Sequence, residues 1–260
     1  MGDIEDWTGE VHQGDARELL SQMPEESAHL VVTSPPYNLE VDYGEYDDNL
    51  SQEEYRNMLF EVFVECYRVL KRGGRLAVVV GIEGGTPCVD TPGIVDSVIA
   101  KTNFHLREKY IWKKGPSESS SAWGSWRSAS NPSQIQNHEE ILVFYKETPA
   151  REDKSGHTMS KEEFMESIKS VWEVKASGHD EHPAAYTPEI PRRLIKLYSF
   201  PDDVVIDPFM GVGTTGVVAE RQRRRWVGMD LDPKYVNLSE ERIQKDREQS
   251  GRPASLLDSK

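Results

Sequence analysis

Val204-Val205-Ile206-Asp207-Pro208-Phe209-Met210-Gly211-Val212-Gly213-Thr214-Thr215-Gly216 decides the fold of this chain of 260 residues. A β-branched run leads into an acidic residue, a proline and a glycine-rich loop, and Thr214–Arg223 follows as a helix. Strand, glycine loop and helix open a βα unit, and ligand crevices in α/β sheets lie where such strands end. A second stretch has the same design near the start. Leu30-Val31-Val32 runs into Thr33-Ser34-Pro35-Pro36-Tyr37-Asn38, so two potential ligand loops each sit at the end of a parallel-type strand.

Outward from these two points, apolar runs and helical periodicity alternate. Strands are expected at Val11–Asp15, Leu30–Thr33, Arg75–Val80, Leu106–Trp112, His138–Tyr145, Val204–Ile206 and Arg225–Met229. Helices are expected at Ala16–Gln22, from a Ser51-to-Glu54 capping box to about Leu70, and at Thr91–Thr102, Lys161–Lys169, Pro188–Tyr198, Thr214–Arg223 and Pro233–Arg247. Lys71-Arg72-Gly73-Gly74 reads as a helix stop. Alternating strands and helices predict an α/β fold with a doubly wound, mostly parallel sheet. One domain is expected over 1–250, with inserts at about 113–136 and 150–180, an acidic, aromatic loop at Tyr43–Asn49 and a frayed tail at 251–260.

Composition narrows the function classes. No run approaches 18 apolar residues, so no membrane span is expected, and the acidic N-terminus lacks a signal-peptide core; the cytoplasm is the default location. Cys66 and Cys88 are too few for a disulfide framework or a zinc site, and no metal is expected. A net charge of −14 speaks against nucleic acid, but the charge is unevenly spread. Residues 1–70 hold 17 acidic and 3 basic side chains, while Lys101–Lys146 holds seven basic and four acidic ones. A locally basic face with an acidic back is compatible with DNA.

Gly211, Gly213 and Gly216 fit G-x-G-x-x-G, and Asp230 follows about 20 residues on, so the motif alone also fits a dinucleotide. Asp207 tips the balance: a carboxylate there would repel a pyrophosphate, whereas it suits the ammonium group of S-adenosylmethionine. Asp230 is placed to accept ribose hydroxyls. In Ser34-Pro35-Pro36-Tyr37, the Ser34 hydroxyl and the Pro35 carbonyl are acceptors for the two N–H bonds of a base amino group. Pro36 has no competing N–H, and Tyr37 offers a stacking face. A base inside a duplex would have to be flipped out to reach them. No Pro-Cys nucleophile stands in a suitable context, which argues against cytosine-C5 chemistry.

In this combination the chain resembles the amino-type DNA methyltransferases of the permuted β group. The resemblance runs from about Val11 to Arg247 and includes Gly14-Asp15, Thr33–Asn38, Leu70-Lys71-Arg72-Gly73-Gly74 and Tyr110-Ile111-Trp112-Lys113. It continues through Asn137-His138-Glu139-Glu140, His182-Pro183-Ala184, Asp207–Gly216 and Val227-Gly228-Met229-Asp230. It implies a circularly permuted, seven-stranded sheet with one antiparallel strand, and S-adenosylmethionine as cofactor. Asp15 would lie near the adenine, and His182 to Thr187 near the methionine end. Thr33, Pro208, Phe209, Thr214 and Thr215 complete the implied cofactor set. A serine as first motif residue leans towards cytosine N4, with adenine N6 as the alternative; a catalytically silent DNA-binding module is the reading from another class. Double-stranded DNA is the implied partner. The resemblance allows a cognate restriction endonuclease beside it, and a monomer or homodimer as the working form.

For DNA contact, Lys113 and Lys114 suit phosphates, Arg127 and Asn131 suit base edges, and Trp123 or Trp126 suits the gap a flipped base leaves. The cluster Arg221, Arg223, Arg224 and Arg225 reads instead as a solvated helix end.

Overall fold

The computed structural model describes residues 2–37, 50–82, 89–115, 124–125, 127–153, 156–176 and 186–250. Trp123, Trp126 and His182 lie outside the described residues, as do the Tyr43–Asn49 loop and the tail at 251–260.

After a short 3-10 turn at Ile4–Asp6 come β1 (Val11–Gln13), α1 (Ala16–Gln22), β2 (Ala28–Thr33), α2 (Gln52–Val69), β3 (Leu70–Gly81) and α3 (Thr91–Ile99). Then follow β4 (Phe104–Lys113), β5 (His138–Lys146), α4 (Lys161–Ser167), β6 (Val171–Glu173), α5 (Glu189–Tyr198), β7 (Val204–Asp207), α6 (Thr214–Arg221), β8 (Arg225–Asp230) and α7 (Pro233–Ser250). The expected capping box starts α2: the Ser51 hydroxyl accepts from the Glu54 amide, and the Glu54 carboxylate accepts from the Ser51 amide.

One sheet runs in the order β1-β8-β7-β2-β3-β5-β4-β6. β5 is antiparallel to both neighbours, and every other pairing is parallel. Strands covered on both faces carry unbroken apolar runs, and β2 is buried at all six positions. Their side chains alternate between two cores. Val31, Val78 and Ile206 pack with α1, α2 and α3, while Leu30, Val79 and Val205 pack with α5, α6 and α7.

The fold class expected from sequence is present, and the strand count rises from seven to eight. The addition is β6, which pairs with β4 through Ile111, Trp112 and Lys113. Only its central residue, Trp172, is buried, with the indole N–H donating to the Ser167 carbonyl. A three-residue strand with one buried position gives no period to read. Part of the 150–180 segment is therefore built into the sheet. β3 also starts earlier than expected, at Leu70. Gly73, at φ +76°, sits where a Cβ would come within 2.8 Å of the Ala150 carbonyl oxygen. These glycines let the strand pass close to a neighbour, and α2 stops without them at Val69.

The basic cluster at the end of α6 is split: Arg221 and Arg223 are exposed, as expected of a solvated helix end, while Arg224 is held inside the protein. Arg224 is buried and donates to the Ser199 hydroxyl and carbonyl, Arg221 pairs with Asp246, and Arg225 pairs with Glu5. Among the described residues no helix is long and apolar enough to cross a membrane.

Candidate active site

β2 and β7 are hydrogen-bonded neighbours, with Leu30 opposite Val205 and Val31 opposite Ile206. This pairing joins the two loops singled out in the sequence. Thr33 at the end of β2 donates to Asp207 at the end of β7 over 2.8 Å, across 174 residues of chain.

Asp207 is 1% exposed. One carboxylate oxygen accepts from Thr33 and from the Phe209 amide (3.1 Å); the other accepts from Tyr186 (3.1 Å) and Thr215. Burial pushes its carboxyl up, and these hydrogen bonds hold it down. Two oxygens offer about four acceptor directions, and all are used inside the protein. The expected pairing of Asp207 with a ligand ammonium is thereby corrected. The carboxylate ties β2, β7, α6 and Tyr186 together beneath the site.

A cavity of about 500 Å³ opens over the ends of these strands, within the roughly 300–1,000 Å³ range of small-molecule sites. Its walls include Asp15, Ser34, Pro35, Pro36, Pro208, Phe209, Gly211, Thr214 and Asp230 from the expected set. Thr33, Tyr37, Thr187, Gly213 and Thr215 lie outside this wall. Thr187 instead starts α5, its carbonyl accepting from the Ile190 amide. Gly213, at φ +77°, faces α7: a Cβ would lie 2.8 Å from Ser239 Cβ. Of the three motif glycines, Gly211 reaches the cavity, while Gly213 and Gly216 allow close packing of α6.

Sequence reasoning missed the opposite wall. It includes Glu54, Asn57, Met58, Glu61 and Val62 on α2, with Arg17, Leu231 and Tyr235; Tyr186, inside the expected His182-to-Thr187 stretch, also lines the cavity. The α2 residues recur at helical spacing beside the apolar stripe, a pattern that groups them on one side of the helix but does not mark a cavity. Arg17 is the one basic residue of the wall among the described residues. Its guanidinium grips Asp15 at 2.6 Å and Glu61 at 2.9 Å, and this hydrogen bonding holds the Asp15 carboxyl below its usual range. Asp230 accepts from the Gly211 amide (2.8 Å) and the Asp232 amide (3.0 Å), and burial pushes its carboxyl up to about 6.

These walls test the ligand class. Among the described residues, four carboxylates, Asp15, Glu54, Glu61 and Asp230, line the cavity against one guanidinium, which is already paired. A pyrophosphate finds repulsion there, while a nucleoside bearing cationic groups finds acceptors. Phe209, Met58, Val62 and Tyr235 supply apolar surface for a flat ring. The residues fit S-adenosylmethionine, through the whole wall rather than through Asp207.

The Ser34–Tyr37 segment borders the cavity through Ser34, Pro35 and Pro36. The Ser34 hydroxyl and the Tyr37 hydroxyl are hydrogen-bonded at 3.2 Å, and the Tyr55 hydroxyl of α2 donates to the Pro36 carbonyl at 2.8 Å. The DNA-contact set is more dispersed. Lys113 pairs with Glu173 at 2.8 Å and Lys114 with Glu139 at 2.5 Å. Arg127 and Asn131 are exposed around a tight turn closed by a Gly124–Pro132 bridge.

A crevice at the strand ends, acidic, partly apolar and bordered by Ser34, Pro35 and Pro36, has the walls of a nucleoside-cofactor site. Residues 28–241 match the sequence model of the DNA methylase family (N6_N4_Mtase), and the chain belongs to this family of amino DNA methyltransferases. S-adenosylmethionine is the methyl donor of the family. The chain is 29% identical to the Type II methyltransferase M.MjaI of Methanocaldococcus jannaschii, over 88% of this chain and 89% of that one. Its fold is similar to TTHA0409, a putative DNA modification methylase of Thermus thermophilus solved in complex with S-adenosyl-L-methionine. That match has TM-score 0.72 and 30% identity, over 91% of this chain and 95% of the other. It is also similar to the PvuII DNA methyltransferase (cytosine-N4-specific), with TM-score 0.71 and 28% identity over 92% and 91% of the two chains. The Type II methyltransferase of that name comes from Proteus hauseri.

Proposed function

We propose that this chain is a site-specific DNA methyltransferase that methylates the exocyclic N4 of cytosine in a short duplex target, with the base flipped out of the helix. The carrying observation is the position of Ser34. Its hydroxyl borders the cavity and is oriented by the Tyr37 hydroxyl at 3.2 Å. The likeness to an enzyme described as cytosine-N4-specific supports the choice of base.

S-adenosylmethionine, when bound, supplies an electrophilic methyl group. Asp230 would hold its ribose hydroxyls with the lone pairs that the Gly211 and Asp232 amides leave open, and Asp15 would stand near the adenine. On the other side of Ser34, the base amine is a weak nucleophile because its lone pair is delocalised into the ring. The Ser34 hydroxyl and Pro35 carbonyl accept from its N–H bonds, returning electron density to the nitrogen and fixing its direction. Tyr37 covers the base face. Tyr55 holds the Pro36 carbonyl and so fixes the backbone of the segment.

DNA would meet the 113–136 segment, where Arg127 and Asn131 are exposed. Lys113 would exchange its carboxylate partner for a phosphate, while Lys114 would stay against Glu139 and reach a phosphate from there. The enzyme would act on cellular DNA in the cytoplasm, as a monomer or homodimer, with a restriction endonuclease of the same specificity as its natural counterpart.

Single-turnover methylation of unmethylated plasmid DNA tests the mechanism. Ser34→Ala and Tyr37→Ala should each slow the reaction by at least tenfold. Full rate in both would overturn it. Competition by duplex DNA, but not by RNA or free nucleosides, is expected.

A further inference from the structure

The mechanism above leaves one carboxylate beside the catalytic segment without a task. Glu139 is the second residue of β5 and pairs in register with Gly81, the last residue of β3. Gly81 has no side chain to separate its neighbours. Around the point where its Cβ would stand, Glu139 Cγ lies at 3.2 Å, Glu139 Oε1 at 3.6 Å and Tyr37 Cε2 at 3.6 Å. The Glu139 side chain is 12% exposed, and its Oε1 accepts from Lys114 at 2.5 Å.

The sheet order gives this position its meaning. Asp230 and Gly211 belong to the ends of β8 and β7, on one side of the β2 segment, whereas Gly81 and Glu139 belong to β3 and β5 on the other. The donor cavity and the Tyr37–Glu139 corner therefore flank Ser34. An acceptor base that stacks on Tyr37 lies on the Glu139 side.

We propose that Glu139 is a charge-stabilising residue of the target-base site. Taking the methyl group breaks its bond to the donor sulfur, which keeps the electron pair; the amine nitrogen still holds both hydrogens, so the base carries the positive charge until one proton passes to water. A largely buried carboxylate fixed beside the ring lowers the energy of that state and gains nothing from the neutral base, which is the condition for acceleration. Lys114 opposes it by holding positive charge against the same oxygen. The two partners of one ion pair should therefore act on the rate with opposite signs. This inference rests on the proposed function and extends it.

The test is single-turnover transfer of tritium-labelled methyl groups to plasmid DNA from a methylation-free host, at saturating DNA. Rates are normalised to the fraction of protein that binds S-adenosylmethionine, so a loss of folded protein does not mimic a slow step. Glu139→Gln should lower the rate on the order of ten- to a hundredfold with little change in cofactor or DNA affinity. Glu139→Asp, which keeps the charge, should recover part of it. Lys114→Met should raise the rate. If Glu139→Gln and Lys114→Met slow the reaction alike and lower Tm alike, the pair is structural and the proposal is wrong. A wild-type rate for Glu139→Gln overturns it as well. Ser34→Ala run in parallel separates the two levels. If Ser34→Ala is inactive while Glu139→Gln is unimpaired, only this inference fails. If Ser34→Ala also keeps full rate, the proposed mechanism fails with it.

Discussion

Asp230→Asn should make the ligand-free protein more stable at neutral pH while weakening its cofactor site. Burial pushes the Asp230 carboxyl from 3.8 to about 6, helped by the nearby Asp207 charge and resisted by two backbone amides. Between those values the unfolded chain has already lost the proton that the folded chain keeps, so stability falls as pH rises through this window. Above it the full penalty stands, at about 1.4 kcal/mol per pH unit, or about 3 kcal/mol. Asparagine removes the charge but turns an N–H towards one of the two amides that now bond to Asp230, which returns about 2 kcal/mol. A net gain of about 1 kcal/mol corresponds to about 2–4 °C in Tm for a chain of this size. Losing charge-assisted bonds to a ribose diol should weaken S-adenosylmethionine binding by at least tenfold. Differential scanning calorimetry and titration calorimetry at pH 7 read both effects. A variant less stable than the wild type, with unchanged cofactor affinity, would refute the reasoning.

His29 adds the opposite dependence. Burial lowers it from 6.5 to about 4, and its Nδ1 accepts from the Val204 amide at 3.0 Å. The unfolded chain takes up the proton first on acidification, so stability should fall by about 3 kcal/mol between pH 6.5 and 4. In the wild type Asp230 masks most of this loss; acid titration of Asp230→Asn should expose it, and a flat profile would contradict the assignment. Gly213→Ala forces a side chain into a φ of +77° and within 2.8 Å of Ser239 Cβ; chemical denaturation should show a loss of about 2–4 kcal/mol. Tyr55→Phe removes the donor to the Pro36 carbonyl and should cost about 1 kcal/mol. Its turnover should fall more than its cofactor affinity, a split that steady-state kinetics and calorimetry resolve.

The strands at the heart of the sheet were legible because a doubly covered parallel strand leaves an unbroken apolar run, as in Leu30–Val32 and Val204–Ile206. Their adjacency was not written in either run. It appears through the β2–β7 pairing and the Thr33–Asp207 bond. The loop residues Ser34, Gly211 and Asp230 could be found because their chemistry is unusual for their position. The α2 wall could not: Asn57 and Glu61 look like ordinary solvent-facing helix residues until the cavity is built against them. Asp207 was noticed for its charge, yet burial and four donors redirect that charge inward. Glu139 depends on Gly81, and only strand register brings the two together.

The central claim is the identity of the modified base. DNA from a methylation-free host expressing this chain, digested to nucleosides and analysed by mass spectrometry, tests it most directly. N4-methylcytosine, absent when Ser34→Ala is expressed instead, is the predicted result. N6-methyladenine would contradict the base assigned from Ser34, and DNA with no modified base would contradict the proposed activity itself.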